Sequence, residues 1–213
     1  MKVQDILKGL IVAFLVLFPH YVPLPFYGYA VVCFMVIIFY LKSQKKNLRN
    51  LGLRRNGLTA HALLIGLVSA LVWIAFNKWV YHPFITHFFV VEPYTEYDFI
   101  RKKLTTLLIT LVAAWLVGGF YEEIVFRGFI QKTIQGWLKN SRLSFWAAGF
   151  LTSILFGLYH WQQGIFGIIP SFLGGLLWTY LLWRYKGNLW YPILSHAIYD
   201  TVALIMIYWK ILI

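Results

Sequence analysis

FYEEIVFRGFIQKTIQGWL, residues 120–138, is long and apolar enough to form a membrane-spanning helix, yet it carries Glu122, Glu123, Arg127 and Lys132. A charged side chain inside the hydrocarbon core costs several kcal/mol unless it is paired or hydrated. Such residues are therefore rare in membrane helices and mark functional sites. The stretch predicts a membrane protein with a polar site inside its helices.

The composition of the whole chain agrees with a membrane location. Of its 213 residues, 61% are hydrophobic and only 12% are charged, about half the charged share of a soluble domain. A soluble fold of this size has too little interior to bury that much apolar surface. The composition excludes a disordered chain and argues against a water-soluble globule.

The net charge of +12 comes from 19 basic and 7 acidic residues. The basic residues cluster between apolar runs, which favours topology signals and contact with anionic lipid. We expect no nucleic-acid binding, because no soluble module is left to carry it. Residues 42–55 hold six basic side chains and no acidic one, which is typical of a cytoplasmic loop, with lipid head-group binding as an addition.

The apolar stretches predict an all-α polytopic bundle of about seven membrane helices, since one crossing needs about 20 residues. The stretches are residues 9–41, 58–79, 104–118, 120–138, 145–160, 165–183 and 189–211. We interpret residues 1–213 as a single integral membrane domain, with N-terminal helices in 1–103 and, in 104–213, a core that carries the motifs described below. The expected location is a bacterial cell membrane.

Several boundaries follow from local signals. Prolines at 19, 23 and 25 predict a helical hairpin that turns near residues 20–25. Gly118-Gly119 indicates a helix break or a point of close packing. Residues 81–103, which contain His82, His87, Glu92, Glu96 and Asp98, read as a polar connection.

The relative depths of the polar residues can be estimated from helix geometry. A hairpin of 120–138 and 145–160 that turns near Asn140-Ser141 puts Glu122 and His160 level with each other. His196 lies only nine residues after Gly187, so an extended entry through 188–191, with a helix start or kink at Pro192, is needed to bring it closer. Under this hairpin the basic groups near 101–103, 139–142 and 184–186 cannot all lie on the side of residues 42–55.

After loops and helix ends are set aside, few ionisable residues remain, and all lie in the second half of the chain. They are Glu122, Glu123, Arg127, His160, His196 and Asp200. Residues four apart share a helix face, so Glu123 can pair with Arg127, and His196 can face one cavity together with Asp200.

These residues fall into three motifs that resemble a known family. Residues 122–127 are similar to its EExxxR motif, residues 156–160 (Phe156 to His160) to its FxxxH motif, and residues 196–200 to its third motif, His-x-x-x-Asn or Asp. The family is the CPBP intramembrane proteases, which includes type II CAAX prenyl endopeptidases and bacteriocin-processing or self-immunity proteins. The resemblance covers roughly residues 104–210.

The resemblance implies an intramembrane endopeptidase. Glu122 would be the general base, His160 would help to hold a water, and His196 and Asp200 would stabilise the oxyanion. Glu123, Arg127 and Phe156 would support them, the first two as a pair that is equally compatible with a structural role. An Asp donates a hydrogen bond only when protonated, so Asp200 is either neutral or orients His196.

Cofactor and substrate are less constrained. We expect no cofactor, but zinc held by Glu122, His160 and His196 is the alternative, since metal also activates water. The expected partner is a membrane-associated peptide or protein, prenylated or not. Two other functions fit the same residues: a non-catalytic bacteriocin-immunity or scaffold protein, and a small proton-coupled transporter.

Overall fold

The computed structural model describes residues 3–22, 24–90, 98–139 and 141–211. Within these ranges, seven helices are long and apolar enough to cross a membrane. They are α1 (Val3–Tyr21), α2 (Gly28–Ser43), α3 (Ala60–Phe88), α4 (Leu104–Trp137), α5 (Arg142–Tyr159), α6 (Ile165–Arg184) and α7 (Trp190–Tyr208). The predicted all-α membrane bundle is confirmed.

The α1–α2 hairpin turns where the prolines predict it. A 3-10 turn at Pro25–Tyr27 leads into α2, while Pro23 lies outside the described residues. After α2, the basic segment forms one helical turn at Leu48–Leu51, capped by Asn47, and a 3-10 turn at Arg55–Gly57. The basic loop is thus folded and not extended.

The expected break at Gly118-Gly119 does not occur, because α4 runs without interruption from Leu104 to Trp137. Its backbone widens to a π-helix over Ala114–Glu122 and again over Ile124–Ile130. The alternative interpretation, close packing, is the correct one for these glycines. A Cβ atom on Gly119 would lie 2.6 Å from the Cβ of Ala197 on α7, a contact that real side chains do not make.

The third span is longer than predicted. It continues through a π-helical turn at Asn77–Tyr81 to Phe88, so His82 and His87 lie on helix α3 and not in a connection. Glu92 and Glu96 lie outside the described residues.

Two sets of neighbours meet along α4. Its first half packs against α7, and its second half packs against α5 and α6. The helices α4 and α7 run in opposite directions, since Gly118 approaches Asp200 and Gly128 approaches Leu189. Because Leu189 is already level with Gly128, His196 comes level with the glutamates on an ordinary helix that begins at Trp190, and the predicted extended entry is wrong.

An unbroken α4 also simplifies the topology. With seven crossings, the basic groups at residues 42–55, 139–142 and 184–186 all fall on one side of the membrane. The short connection between α4 and α5 is described from Ser141, which caps α5; Asn140 lies outside the described residues. Among the described residues, the basic side chains on the other side are those at 101–103, Lys210, and Lys78 in the second half of α3.

Candidate active site

A buried ion pair lies at the centre of α4. Glu123 and Arg127 are one helical turn apart, with Nη1 of Arg127 3.4 Å from Oε1 of Glu123, and both side chains are fully buried. The predicted pairing of these two residues is confirmed. Two opposite charges that are removed from solvent in this way hold each other strongly in position.

His196 on α7 joins this pair from the other side. Its Nδ1 donates to Oε1 of Glu123 at 2.9 Å, which ties α7 to α4. Its Nε2 lies 3.7 Å from Oδ2 of Asp200, one turn further along α7. The imidazole is therefore held between two carboxylates, one on each ring nitrogen.

The plane of the His196 ring is fixed by an aromatic neighbour on α6. The indole of Trp178 stacks on it, with ring centroids 3.8 Å apart and planes 19° from parallel. Trp178 also donates from Nε1 to Oγ of Ser195 at 3.2 Å, and Ser69 on α3 donates to the same oxygen at 2.9 Å. Three helices thus position the residue next to His196 and the face of its ring.

Arg127 is also enclosed by aromatic rings. Its Cζ atom lies 4.3 Å from the ring centroid of Phe156 and 5.1 Å from that of Trp178. Within the described chain its guanidinium nitrogens make no hydrogen bond, so the ion pair with Glu123 and these ring faces balance its charge.

His160 lies at the end of α5, where it caps the helix. Its Nδ1 lies 2.8 Å from the carbonyl oxygen of Phe156, which can only accept, so Nδ1 carries the proton. Burial lowers the pKa of His160, which follows the membrane-spanning part of α5, to about 4. The ring is then neutral near pH 7, and its Nε2 is a free acceptor.

Phe156 lies between the two imidazoles. Its ring centroid is 4.7 Å from that of His160 and 5.9 Å from that of His196. The FxxxH phenylalanine therefore spaces the two histidines apart, while its other contacts cover the guanidinium.

Glu122 stands at the edge of this cluster. It is 7% exposed and makes no hydrogen bond to another described residue, although it interacts electrostatically with His196 and Asp200. Tyr29 and Tyr159 also interact electrostatically with Glu122. The carboxylate of Glu122 is available to a bound molecule, whereas Oε1 of Glu123 is engaged by both Arg127 and His196.

Gly118 gives the cluster its space on α4. A Cβ atom at this position would collide with Oδ2 of Asp200 and would lie 4.0 Å from Nε2 of His196. The missing side chain allows the His196–Asp200 face of α7 to lie directly against α4.

Direct contacts join Glu123, Arg127, His196 and Asp200, with Phe156 packed against two of them. His160 reaches the group through Phe156, and Glu122 through its charge. Sequence reasoning missed Trp178, Ser195 and Tyr159. Ser195, a polar residue beside His196 in an apolar span, offered a signal; the two aromatic residues stood among many others and offered none.

Zinc held by Glu122, His160 and His196 is the alternative to a metal-free site. In the part of the chain that the structure describes, no three His, Cys, Asp or Glu side chains come together as a metal-binding group. Nδ1 of each imidazole is engaged by Phe156 or Glu123, which leaves Nε2 as the nitrogen that a metal would take. A zinc site at these three residues stays a prediction.

Comparison with protein families matches residues 104–202 to the family described as "Type II CAAX prenyl endopeptidase Rce1-like". The matched segment begins at the first residue of α4 and includes every residue of the candidate site. It confirms the resemblance drawn from the three motifs and indicates a membrane protease.

Curated relatives are more distant. The chain is 27% identical over 115 residues to an Escherichia coli protein named "Uncharacterized 24.3 kDa protein", covering 54% of this chain and 51% of that one. It is 25% identical over 178 residues to "Putative membrane peptidase YdiL" of Bacillus subtilis, covering 83% and 68%. The chain thus spans about half the length of the first of these relatives. No solved structure matches it.

Proposed function

We propose that this chain, whose residues 104–202 are Rce1-like, is an intramembrane endopeptidase that hydrolyses a peptide bond of a membrane-associated protein or peptide. The observation that carries the proposal is the cluster formed by the buried residues Glu122, Glu123, Arg127 and His196, together with the partly exposed Asp200. Interhelical hydrogen bonds stabilise membrane bundles only slightly, whereas charged side chains buried among membrane helices cost several kcal/mol. A catalytic role therefore explains this cluster better than helix packing does.

In the proposed reaction, Glu122 and His160 hold the attacking water. Nε2 of His160 accepts one hydrogen bond from it, because Nδ1 donates to Phe156. Glu122 takes the proton as the water oxygen bonds to the peptide carbonyl carbon. When the tetrahedral intermediate collapses, the C–N bond breaks and Glu122 returns the proton to the leaving amine.

The oxyanion of that intermediate needs a hydrogen-bond donor, and the space between His196 and Asp200 supplies it. Nε2 of His196 donates when the imidazole is protonated, and Asp200 donates when its carboxyl is protonated. In each state one of these two groups, whose Nε2 and Oδ2 atoms lie 3.7 Å apart, can donate to the oxyanion. A preorganised donor of this kind typically contributes on the order of 3 kcal/mol.

Glu123 and Arg127 act as positioning residues in this scheme. Glu123 fixes Nδ1 of His196, and Arg127 in turn holds the carboxylate of Glu123. The stacked indole of Trp178 prevents rotation of the same ring. The donor at Nε2 is thereby aimed before the substrate binds.

The proposed substrate is bound to or anchored in the membrane, because the site lies among membrane helices. A prenylated CAAX-type C-terminus is one candidate, in line with the family's description; an unprenylated peptide is the other. The side that carries residues 42–55, 139–142 and 184–186 faces the cytoplasm by the positive-inside rule. Matches to bacterial proteins support a bacterial cell membrane.

The test is cleavage by the purified chain in liposomes, with matched prenylated and unprenylated peptides. We expect Glu122→Gln to reduce cleavage by about a hundredfold to ten-thousandfold, because general-base catalysis commonly contributes 10²–10⁴-fold. The control is Asp98→Asn, which removes a half-exposed carboxylate far from the cluster and should leave the rate unchanged. A chelator is added in parallel.

Three results would overturn the proposal. Cleavage that is equal in wild type and Glu122→Gln would remove the glutamate from the mechanism. Proton-coupled flux in the same liposomes without any peptide hydrolysis would instead favour a transporter. Immunity or partner binding that survives Glu122→Gln in a chain without cleavage would favour the scaffold function.

A further inference from the structure

A cavity of about 420 Å³ lies at the end of α2, outside the candidate active site. The basic segment after α2 forms one wall, and Trp190, the first residue of α7, forms another. Five cationic side chains line it: Lys42, Lys46, Arg49, Arg54 and Arg55. Its lining also includes aliphatic side chains, among them Leu41 and Leu53.

The cations of this cavity have no carboxylate partner within the described residues. The ion pairs of the described chain join Asp5 to Lys8, Asp98 to Arg101, and Glu123 and Asp200 to partners in the candidate active site. Five like charges around one cavity repel each other, and a bound anion relieves that repulsion. A second cavity of about 360 Å³ shares Arg54 and adds Arg184 and Lys186, so the positive surface continues.

The backbone that presents these cations is held in place by hydrogen bonds. The amide of Leu189 donates to the carbonyl of Gly52, and the indole of Trp190 donates to that of Arg54 at 2.8 Å. Nζ of Lys132, on α4, donates to the carbonyl of Asn50 at 2.7 Å. The segment is therefore fixed to α4 and α7, and the cavity is formed before any ligand enters.

The position of the cavity indicates which anion it takes. It lies where the apolar span of α2 ends, on the basic side of the bundle, and is lined by both aliphatic and cationic side chains. A phospholipid has the same arrangement, with acyl chains below a charged phosphate. We propose that this cavity binds the phosphate of an anionic phospholipid, with Arg49 and Arg55 as phosphate-binding residues and Trp190 beside the glycerol region.

The test measures lipid retention by the purified, delipidated chain in neutral detergent, by native mass spectrometry. The probes are phosphatidylglycerol and phosphatidylcholine of identical acyl chains. We expect phosphatidylglycerol to bind at least about tenfold more tightly. In the triple variant Lys46→Gln, Arg49→Gln, Arg55→Gln this preference should fall by about tenfold to a hundredfold, since each cation near an anionic headgroup contributes about fivefold.

The matched control removes the same charge from the opposite side of the bundle: Lys102→Gln, Lys103→Gln, Lys210→Gln, three exposed residues. It should retain the wild-type preference for phosphatidylglycerol. A loss equal to that of the first variant would show a general charge effect and would overturn the proposed lipid site. An unchanged preference in the first variant would also overturn the proposed lipid site. Thermal melting of both variants establishes that they are folded.

A binding test with inorganic phosphate distinguishes the two sources of the bound phosphate group, a phospholipid headgroup and free phosphate. In one outcome, phosphate alone raises the melting temperature of wild type but not of the cavity variant, and wild type binds phosphatidylglycerol no more tightly than phosphatidylcholine. The site then takes free phosphate, and the lipid assignment is wrong. Retention of phosphatidylglycerol in the presence of excess phosphate supports the lipid. Neither readout depends on peptide cleavage. Failure of the lipid proposal therefore does not contradict the proposed protease activity, and failure of the protease proposal does not contradict the lipid site.

Discussion

The two halves of α4 have similar apolar sequences and very different surroundings. In Leu104–Ala113 only Leu107 and Thr110 are buried, and Ile109 is 65% exposed. In Ile124–Ile130 every residue is buried, including Arg127. The first half packs on α7, whereas the second packs on α5, α6 and the helical turn at Leu48–Leu51.

The difference shows that hydropathy alone does not locate the interior of a membrane protein. An isoleucine that faces lipid and one that faces other helices look alike in sequence, because lipid tails are as apolar as a protein core. Ionisable residues do distinguish the two, since they are tolerated only where other helices enclose and pair them. In α4 the charged residues begin at Glu122, next to the segment Ile124–Ile130 in which every residue is buried by other helices.

The largest expected effect comes from the enclosed charge. Arg127→Met keeps the volume but leaves Glu123 buried beside His196 without its guanidinium, which should cost about 3–5 kcal/mol. Unfolding in mixed micelles with increasing SDS measures this loss. The control is Arg101→Met, which breaks the partly exposed pair with Asp98 and should cost at most about 1 kcal/mol. Equal losses would contradict the distinction between the two halves.

A smaller effect is expected from matched aliphatic truncations. Ile130 is fully buried and Ile109 is 65% exposed. Ile130→Ala should reduce the free energy of unfolding by about 2–5 kcal/mol through the cavity it leaves. Ile109→Ala, on the lipid-facing half, should change it by less than about 0.5 kcal/mol. The same SDS titration compares them, and a reversed order would show that the second half is not the packed one.

The smallest effect tests the close approach of α4 and α7. Gly119→Ala pushes a methyl group against Ala197, Cβ to Cβ at 2.6 Å, and should cost about 1–3 kcal/mol. Gly136→Ala, where no atom lies within 4 Å of the added Cβ, should instead stabilise α4 by about 0.5–1 kcal/mol. If both substitutions stabilise the protein, the two helices are further apart than described.

Much of the site follows from spacing along single helices. The Glu123–Arg127 pair and the proximity of His196 to Asp200 each depend on residues four apart, which one helix brings together regardless of its neighbours. The three motifs also locate the segment that the family comparison matches.

Contacts between helices could not be predicted from the spacing of residues along a single helix. Whether Nδ1 of His196 reaches Glu123 depends on how far α7 is shifted along α4. That shift follows from the way Leu189 packs beside Gly128 and hydrogen-bonds to Gly52, contacts between distant parts of the chain. Glycines that allow close packing and glycines that break a helix also look the same in sequence, which is why Gly118 and Gly119 were ambiguous.

The stacking of Trp178 on His196 gives the protein an optical reporter. A protonated imidazole in contact with an indole quenches its fluorescence, whereas a neutral imidazole does so weakly. With the rings only 3.8 Å apart, the emission of Trp178 should follow the protonation of His196 directly. In a chain whose other tryptophans are replaced by phenylalanine, stopped-flow fluorescence would record when the imidazole of His196 gains and loses its proton during the reaction.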